Sequence, residues 1–327
     1  MGASQHGFLN NAQRAKADEF YTTYEAIDAE LKHYRADLRD RHVICPCNDR
    51  PGKSMFVQWI LDHMGEYGMA SLTCTSYEAG RDTLFDDGTQ ARRWHVGNDG
   101  RTGAYTTEDL TAVPLDGDGS FDGPEVETLL EPGTLVLTNP PFSLATRFMR
   151  MIGRHPDVDY LIVANQNLIT SNDTLPLVMA GRCVAGLTCH TGGMFFHMPD
   201  SYPRTGTGIR ADGAINVPAI TWLTGLKTAW ADKTWTPTGR TYEGHEDEYP
   251  KYDTIDAIEV SSIRMIPDDH TGLMGVPISL FQRWRPDGEF ELVGILSGGT
   301  GGYDKASPMI GGRQKYNRLL IRRRAGR

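Results

Sequence analysis

Long apolar runs are missing from this chain of 327 residues. None approaches the ~18–20 residues of a membrane-spanning helix, and no apolar stretch follows the N-terminus as a signal peptide would, so a cytoplasmic protein is expected. Cysteine is scarce as well. The five present (Cys45, Cys47, Cys74, Cys183 and Cys189) are an odd number in a long chain, which fits reduced, buried thiols better than a disulfide framework. Cys45-Pro46-Cys47 has no second pair at ligand spacing, so neither zinc nor another metal is expected. Gly-x-Ser-x-Gly and His-Glu-x-x-His are absent, which removes the common hydrolase and metallopeptidase signatures. Gly52-Lys53-Ser54 ends like a phosphate-binding loop, yet Cys47 stands where that loop requires its first glycine, and nucleotide triphosphatase chemistry is excluded. The acidic turn at Asp116-Gly117-Asp118 lacks the Glu at the twelfth position that an EF-hand calcium loop needs.

What is present is ordinary globular material: 39% hydrophobic and 23% charged residues. The length exceeds the ~250–300 residues at which one core usually stops growing, so one large domain or two unequal ones are expected. Net charge is −9, from 33 basic and 42 acidic residues, which argues against a general nucleic-acid coat protein. The distribution is uneven. Residues 311–327 hold seven basic side chains (Arg313, Lys315, Arg318, Arg322, Arg323, Arg324 and Arg327) and no acidic one. Such an end is either a solvated tail or a phosphate-binding element.

Along the chain, a loose arm over 1–17 precedes Tyr24, Ile27, Leu31, Tyr34 and Leu38, whose spacing of three and four predicts an amphipathic helix over 22–39. A short strand over 42–47, a helix over 54–64 and a strand over 70–75 follow. That alternation is the pattern of a parallel sheet with crossover helices. Residues 80–133, dense in Gly, Asp and Thr, predict loops and short edge strands. A strand over 134–138 runs directly into Asn139-Pro140-Pro141-Phe142, then come a helix over 144–152 and a strand over 160–164. Beyond Cys183 the helical period fades, and strands are predicted at 194–197, 219–223, 256–260, 276–281, 290–296 and 319–322. The glycine run 298–302 reads as a linker, and lone histidines such as His190 and His197 read as structural. No internal repeat is visible.

Asn139-Pro140-Pro141-Phe142 carries the sharpest chemistry. Ligands of open α/β sheets bind beyond the carboxyl ends of strands, and this tetrapeptide sits at such an end. Its composition suits methylation of an exocyclic amine such as adenine N6, whose lone pair is delocalised into the ring. Two acceptors aimed at the amine hydrogens, the Asn139 side-chain oxygen and the Pro140 carbonyl, favour the nucleophilic geometry. The prolines fix φ and donate no N–H, so the loop presents carbonyls rigidly. Phe142 offers a flat face for an extruded base. In the Asp116–Phe121 stretch, Asp118 and Phe121 read either as a plain surface turn or as a hydrogen-bond acceptor and an apolar face for an adenine.

Taken together, Asp18-Glu-Phe-Tyr-Thr22, Cys45-Pro-Cys-Asn-Asp49, Gly117-Asp-Gly-Ser-Phe121 and Asn139-Pro-Pro-Phe142 resemble, in order, the EcoRI-type DNA adenine-N6 methyltransferases. The similarity continues through Lys251-Tyr-Asp253, Asp256-Ala-Ile-Glu-Val260, Met274-Gly-Val-Pro277 and Arg318-Leu-Leu-Ile-Arg322, and so spans nearly the whole chain. The resemblance implies S-adenosylmethionine as cofactor and double-stranded DNA as substrate. It places Phe20 and Tyr21 over the methionine end of the cofactor and Cys47 and Asp49 in the cofactor loop. Asp118 and Phe121 fall on the cofactor adenine, and Asn139, Pro140 and Phe142 on the target base. Where methyltransferases usually carry Gly-x-Gly, this chain has Cys-Pro-Cys-Asn-Asp, and Tyr77 and Glu78 are the nearest candidates for the ribose.

The expected fold is therefore α/β, a Rossmann-like methyltransferase sheet over 1–228, with a β-rich target-recognition region over 229–327. Arg322, Arg323, Arg324 and Arg327 are expected to project beyond the last strand towards DNA phosphates. The chain is expected to act as a monomer on duplex DNA, with no cognate restriction nuclease needed for activity. The alternatives are the same chemistry on RNA adenine or a protein glutamine, which the long basic C-terminal region disfavours, and a catalytically inactive DNA-binding module, which the intact Asn139 disfavours.

Overall fold

The computed structural model describes residues 21–78, 90–188, 192–197, 209–297 and 306–325. The arm over 1–17, Phe20, Cys189, His190, the glycine run 298–302 and Arg327 lie outside the described residues. The chain divides into two compact units, Met1–Asn165 with Leu187–Thr228, and Gln166–Gly186 with Ala229–Arg327.

In the first unit, seven strands share one mixed sheet. Their spatial order is Thr111–Pro114, Arg92–Gly97, Ser71–Thr75, His42–Cys45, Leu135–Thr138, Asp159–Asn165 and Ile220–Thr224. The four central strands are parallel, and the outer ones are antiparallel. Ser71–Thr75 and Leu135–Thr138 are buried at every position, as strands covered on both faces must be. The chain moves from His42–Cys45 outward to Ser71–Thr75 and returns to Leu135–Thr138 on the other side of the first strand. The strand order thus reverses at His42–Cys45, and the crevice beside its carboxyl end is where an open α/β sheet binds ligands.

The helix Met55–Tyr67 begins at Ser54, whose Oγ accepts from the Val57 N–H, and buries Phe56, Trp59, Ile60 and Met64. The helix expected over 22–39 is interrupted. It runs over Tyr24–Leu31, tightens to a 3₁₀ turn at Lys32–Tyr34 and resumes over Arg35–Leu38. The Tyr34 hydroxyl donates to the buried Glu30 carboxylate at 2.7 Å, an i, i+4 contact that spans the break. Ahead of this helix, Tyr21–Thr22 pairs with Met194–His197, which in turn pairs with Ile215–Val217.

The second unit holds a four-stranded sheet in the order Ala257–Glu259, Leu273–Pro277, Arg318–Arg323 and Phe290–Leu296. The strand expected over 276–281 ends early. Pro277 has no N–H to continue the ladder, and Ile278–Arg283 forms a 3₁₀ turn instead. The expected free projection of the basic end is also corrected. Arg322 and Arg323 belong to the final strand, and Arg322 pairs with Glu291 at 2.7 Å. The Arg323 side chain is only 10% exposed, pairs with Glu289 and donates to the Pro267 carbonyl. Arg324 donates to the carbonyls of Gly288 and Pro286 at 3.1 and 2.8 Å. Unmade backbone acceptors and nearby carboxylates bind these guanidinium groups more closely than open solvent does. No described helix is long and apolar enough to cross a membrane.

Candidate active site

Two loops meet at the reversal point of the sheet. After His42–Cys45 the chain turns through Pro46–Ser54, with Asn48 in the left-handed region at φ 58°. After Leu135–Thr138 it enters Asn139-Pro140-Pro141, and a 3₁₀ turn at Phe142–Leu144 leads into the helix Ala145–Arg154. Asp49 joins the two. Its Oδ1 accepts from Ser54 Oγ at 2.7 Å, and its Oδ2 accepts from Thr138 Oγ1 at 2.6 Å and from the Cys47 N–H at 3.2 Å. Burial pushes this carboxyl up to about 6, against the three hydrogen bonds that favour its ionised form. The Cys47 thiol is pushed well above its ordinary value, by burial first and then by the Asp49 charge, which favours the neutral thiol.

A third segment closes the pocket. Asn48 Oδ1 accepts from the Tyr77 N–H at 3.1 Å, and the Glu78 N–H donates to the Asp118 carbonyl at 2.9 Å. The neighbouring Gly119 has φ 76°, and a Cβ there would lie 1.9 Å from the Ser76 carbonyl, so only glycine lets these two segments approach. Phe121 is buried against Phe148, ring centroids 5.3 Å apart, with the Arg147 guanidinium 5.6 Å from its own centroid. Arg147 also pairs with Asp122.

Of the residues singled out in the sequence, Tyr21, Cys47, Asp49, Tyr77, Phe121 and Asn139 line one pocket. Glu78, Asp118, Pro140 and Phe142 do not; Glu78 pairs with Arg50 instead. Asp118 is exposed and turns its carboxylate back onto the Ser120 N–H at 2.8 Å. The Pro140 residue is buried. Phe142 packs edge-on against Phe196, centroids 5.9 Å apart at 90°. The pocket also takes in Ser54, Phe56, Pro141, Leu144 and Arg147, which sequence reasoning missed. For Arg147 a signal existed: it stands in the first turn of a helix that follows a ligand-bearing strand end. For Phe56 there was none, because its spacing is that of any core position.

The family model described as "Adenine-specific methyltransferase EcoRI" matches residues 8–324. The chain belongs to the EcoRI adenine-specific methyltransferase family. Among relatives, the type II methyltransferase M.EcoRI of Escherichia coli is 32% identical over 96% of this chain and 95% of its own. M.MpnI of Mycoplasma pneumoniae is 28% identical over 97% and 98%, and M.MgeORF184P of Mycoplasma genitalium 26% over 96% and 98%. No solved structure matches. The activity is S-adenosylmethionine-dependent methylation of adenine in DNA. The pocket of this EcoRI-family enzyme has the chemistry to hold that cofactor. It offers aromatic and aliphatic walls (Tyr21, Phe56, Phe121, Leu144) for the adenine and methionine chain, and the Asp49 carboxylate, 6% exposed, suits a cationic ligand.

Proposed function

We propose that this protein methylates N6 of adenine within double-stranded DNA after the target base is turned out of the helix, with the base received at Asn139-Pro140-Pro141-Phe142. One observation carries the reading: Asp49 and Thr138 tie the loop after the first strand to the residue preceding Asn139, at the reversal point of the sheet. Bound S-adenosylmethionine supplies the methyl group as an electrophilic sulfonium. The protein's own task is positioning. Asn139, on the pocket wall, offers its Oδ1 to one amine hydrogen, and the Pro140 carbonyl offers itself to the other. That pair of acceptors draws the nitrogen towards a tetrahedral, nucleophilic geometry. Phe142 gives the extruded base a face to stack on, and Phe196 packs against it at right angles. Tyr21, Phe121 and Tyr77 line the cofactor side. The amine must leave the duplex because its edge is paired and its attack face stacked. The sheet of the second unit is the target-recognition region in this reading.

Asn139→Ala tests the assignment. Losing one preorganised hydrogen-bonding group should slow single-turnover methyl transfer by ~10²–10³ while duplex and cofactor affinities change little. Near-full activity of the variant would remove Asn139 from the target pocket.

A further inference from the structure

The duplex reading leaves one question of charge: which cations of a chain with net charge −9 face the phosphates. Arg318, Arg322 and Arg323 are spent on Glu259, Glu291 and Glu289, and Arg324 on backbone carbonyls. Arg313 and Lys315 are different. Both are exposed, and neither forms an ion pair among the described residues. They sit on a hairpin in which Met309–Ile310 pairs with Arg313–Gln314, and Tyr316 beside them is 86% exposed.

The hairpin is firmly mounted. Its two-residue turn is Gly311-Gly312, at φ 56° and 73°, the left-handed pair that a tight hairpin requires. Both turn N–H groups donate to Asp253, at 2.9 Å to Oδ1 and 2.8 Å to Oδ2. The Asp253 N–H donates in turn to the Met309 carbonyl, and Thr254 Oγ1 to the Ser307 carbonyl. A ribbon held this way keeps a fixed aim, so its free charges and exposed ring are not a fraying end. Past the paired residues the Lys315 N–H donates to the Pro308 carbonyl at 2.8 Å, so the chain carrying both cations stays against the ribbon. A two-stranded ribbon fits the major groove of B-form DNA, which is ~12 Å wide.

We propose that the hairpin 309–316 is a DNA-docking element of this enzyme, in which Arg313 and Lys315 contact backbone phosphates and Asp253 fixes the ribbon that carries them. The proposal rests on the duplex reading above. The test measures duplex affinity against salt concentration for the full chain, together with methyl transfer, cofactor affinity and thermal midpoint. Arg313→Gln with Lys315→Gln should lower the slope of log affinity against log salt by about 1.8, equally on methylatable and random duplexes. Cofactor affinity and thermal midpoint should hold. Arg322→Gln, which removes half of an internal pair, should leave the slope unchanged. Asp253→Ala makes the protein less acidic, so bulk electrostatics predicts tighter binding, whereas loss of the mount predicts weaker binding. An unchanged slope in the double variant, with wild-type protein still methylating duplex DNA, overturns the hairpin and spares the function. Wild-type protein that neither binds nor methylates duplex overturns both.

Discussion

Arg318 and Arg322 stand four residues apart on one strand, and their surroundings give them opposite energetic roles. Arg318 reaches the Glu259 carboxylate with Nη2 at 2.6 Å and Nε at 3.0 Å, and the two side chains are 11% and 6% exposed. Tyr252 donates to the same carboxylate, and burial followed by that contact pushes its hydroxyl far above the ordinary phenol range. Removing one partner of such a pair strands the other charge in a dry site. Arg318→Gln should therefore cost about 3–5 kcal/mol in urea denaturation. Arg322 pairs with Glu291 at the surface, both near half exposed, so Arg322→Gln should change stability by less than about 1 kcal/mol. Equal losses in the two variants would mean that burial is not what separates them. Seven cations in seventeen residues read as one feature in the sequence, but Arg318, Arg322, Arg323 and Arg324 are each held by the carboxylate or carbonyl the fold brings near them, whereas Arg313 and Lys315 stay exposed.

Between elements, the Asp49 bridge is the contact that matters most for the site. Ordinary aspartate titrates near 3.8, and burial raises Asp49 to about 6 in the folded protein. The folded state then binds the proton more tightly than the unfolded chain does. This group's contribution to stability is accordingly full below about pH 4 and lost as pH rises through about 6, by at most about 3 kcal/mol. The stability of the wild type relative to Asp49→Asn should fall over that window, measured by denaturant unfolding at intervals from pH 4 to 7. A difference flat in pH would assign the titration to another group. The elements themselves were largely legible. The alternation from His42 to Asn165 marked the parallel strands because their apolar runs are bounded by turn residues, and the Asn139 loop was legible because it sits at a strand end. The bridge was not. Asp49 and Thr138 lie 89 residues apart and meet only because the sheet order reverses between their strands. Likewise Glu30, just ahead of the break at Lys32–Tyr34, accepts from the Leu187 and Thr188 N–H groups at 2.8 and 2.7 Å, a partnership no periodicity announces.

Across the whole molecule, the division into units is not a single cut. The chain crosses at 165–166, 186–187 and 228–229, so the second unit takes its inner segment Gln166–Gly186 from the middle of the sequence. That segment is woven in. Gln166 donates from Nε2 to the Ile278 carbonyl at 3.0 Å and accepts at Oε1 from Gln282 at 3.0 Å. Lys233 Nζ donates to the Ala185 carbonyl at 2.6 Å. The helix Leu175–Met179 packs on Phe290–Leu296 and buries Leu175, Leu177 and Val178. Burying three such side chains contributes about 5–9 kcal/mol, comparable with the whole stability of an ordinary domain. A fragment spanning 229–327 alone should therefore lack a cooperative thermal transition and near-ultraviolet circular dichroism from Trp230, Trp235 and Trp284. Joining 166–186 to the same fragment through a flexible linker should restore both. A cooperative melt of 229–327 by itself would show that the inner segment adds little, and would make the second unit a contiguous domain.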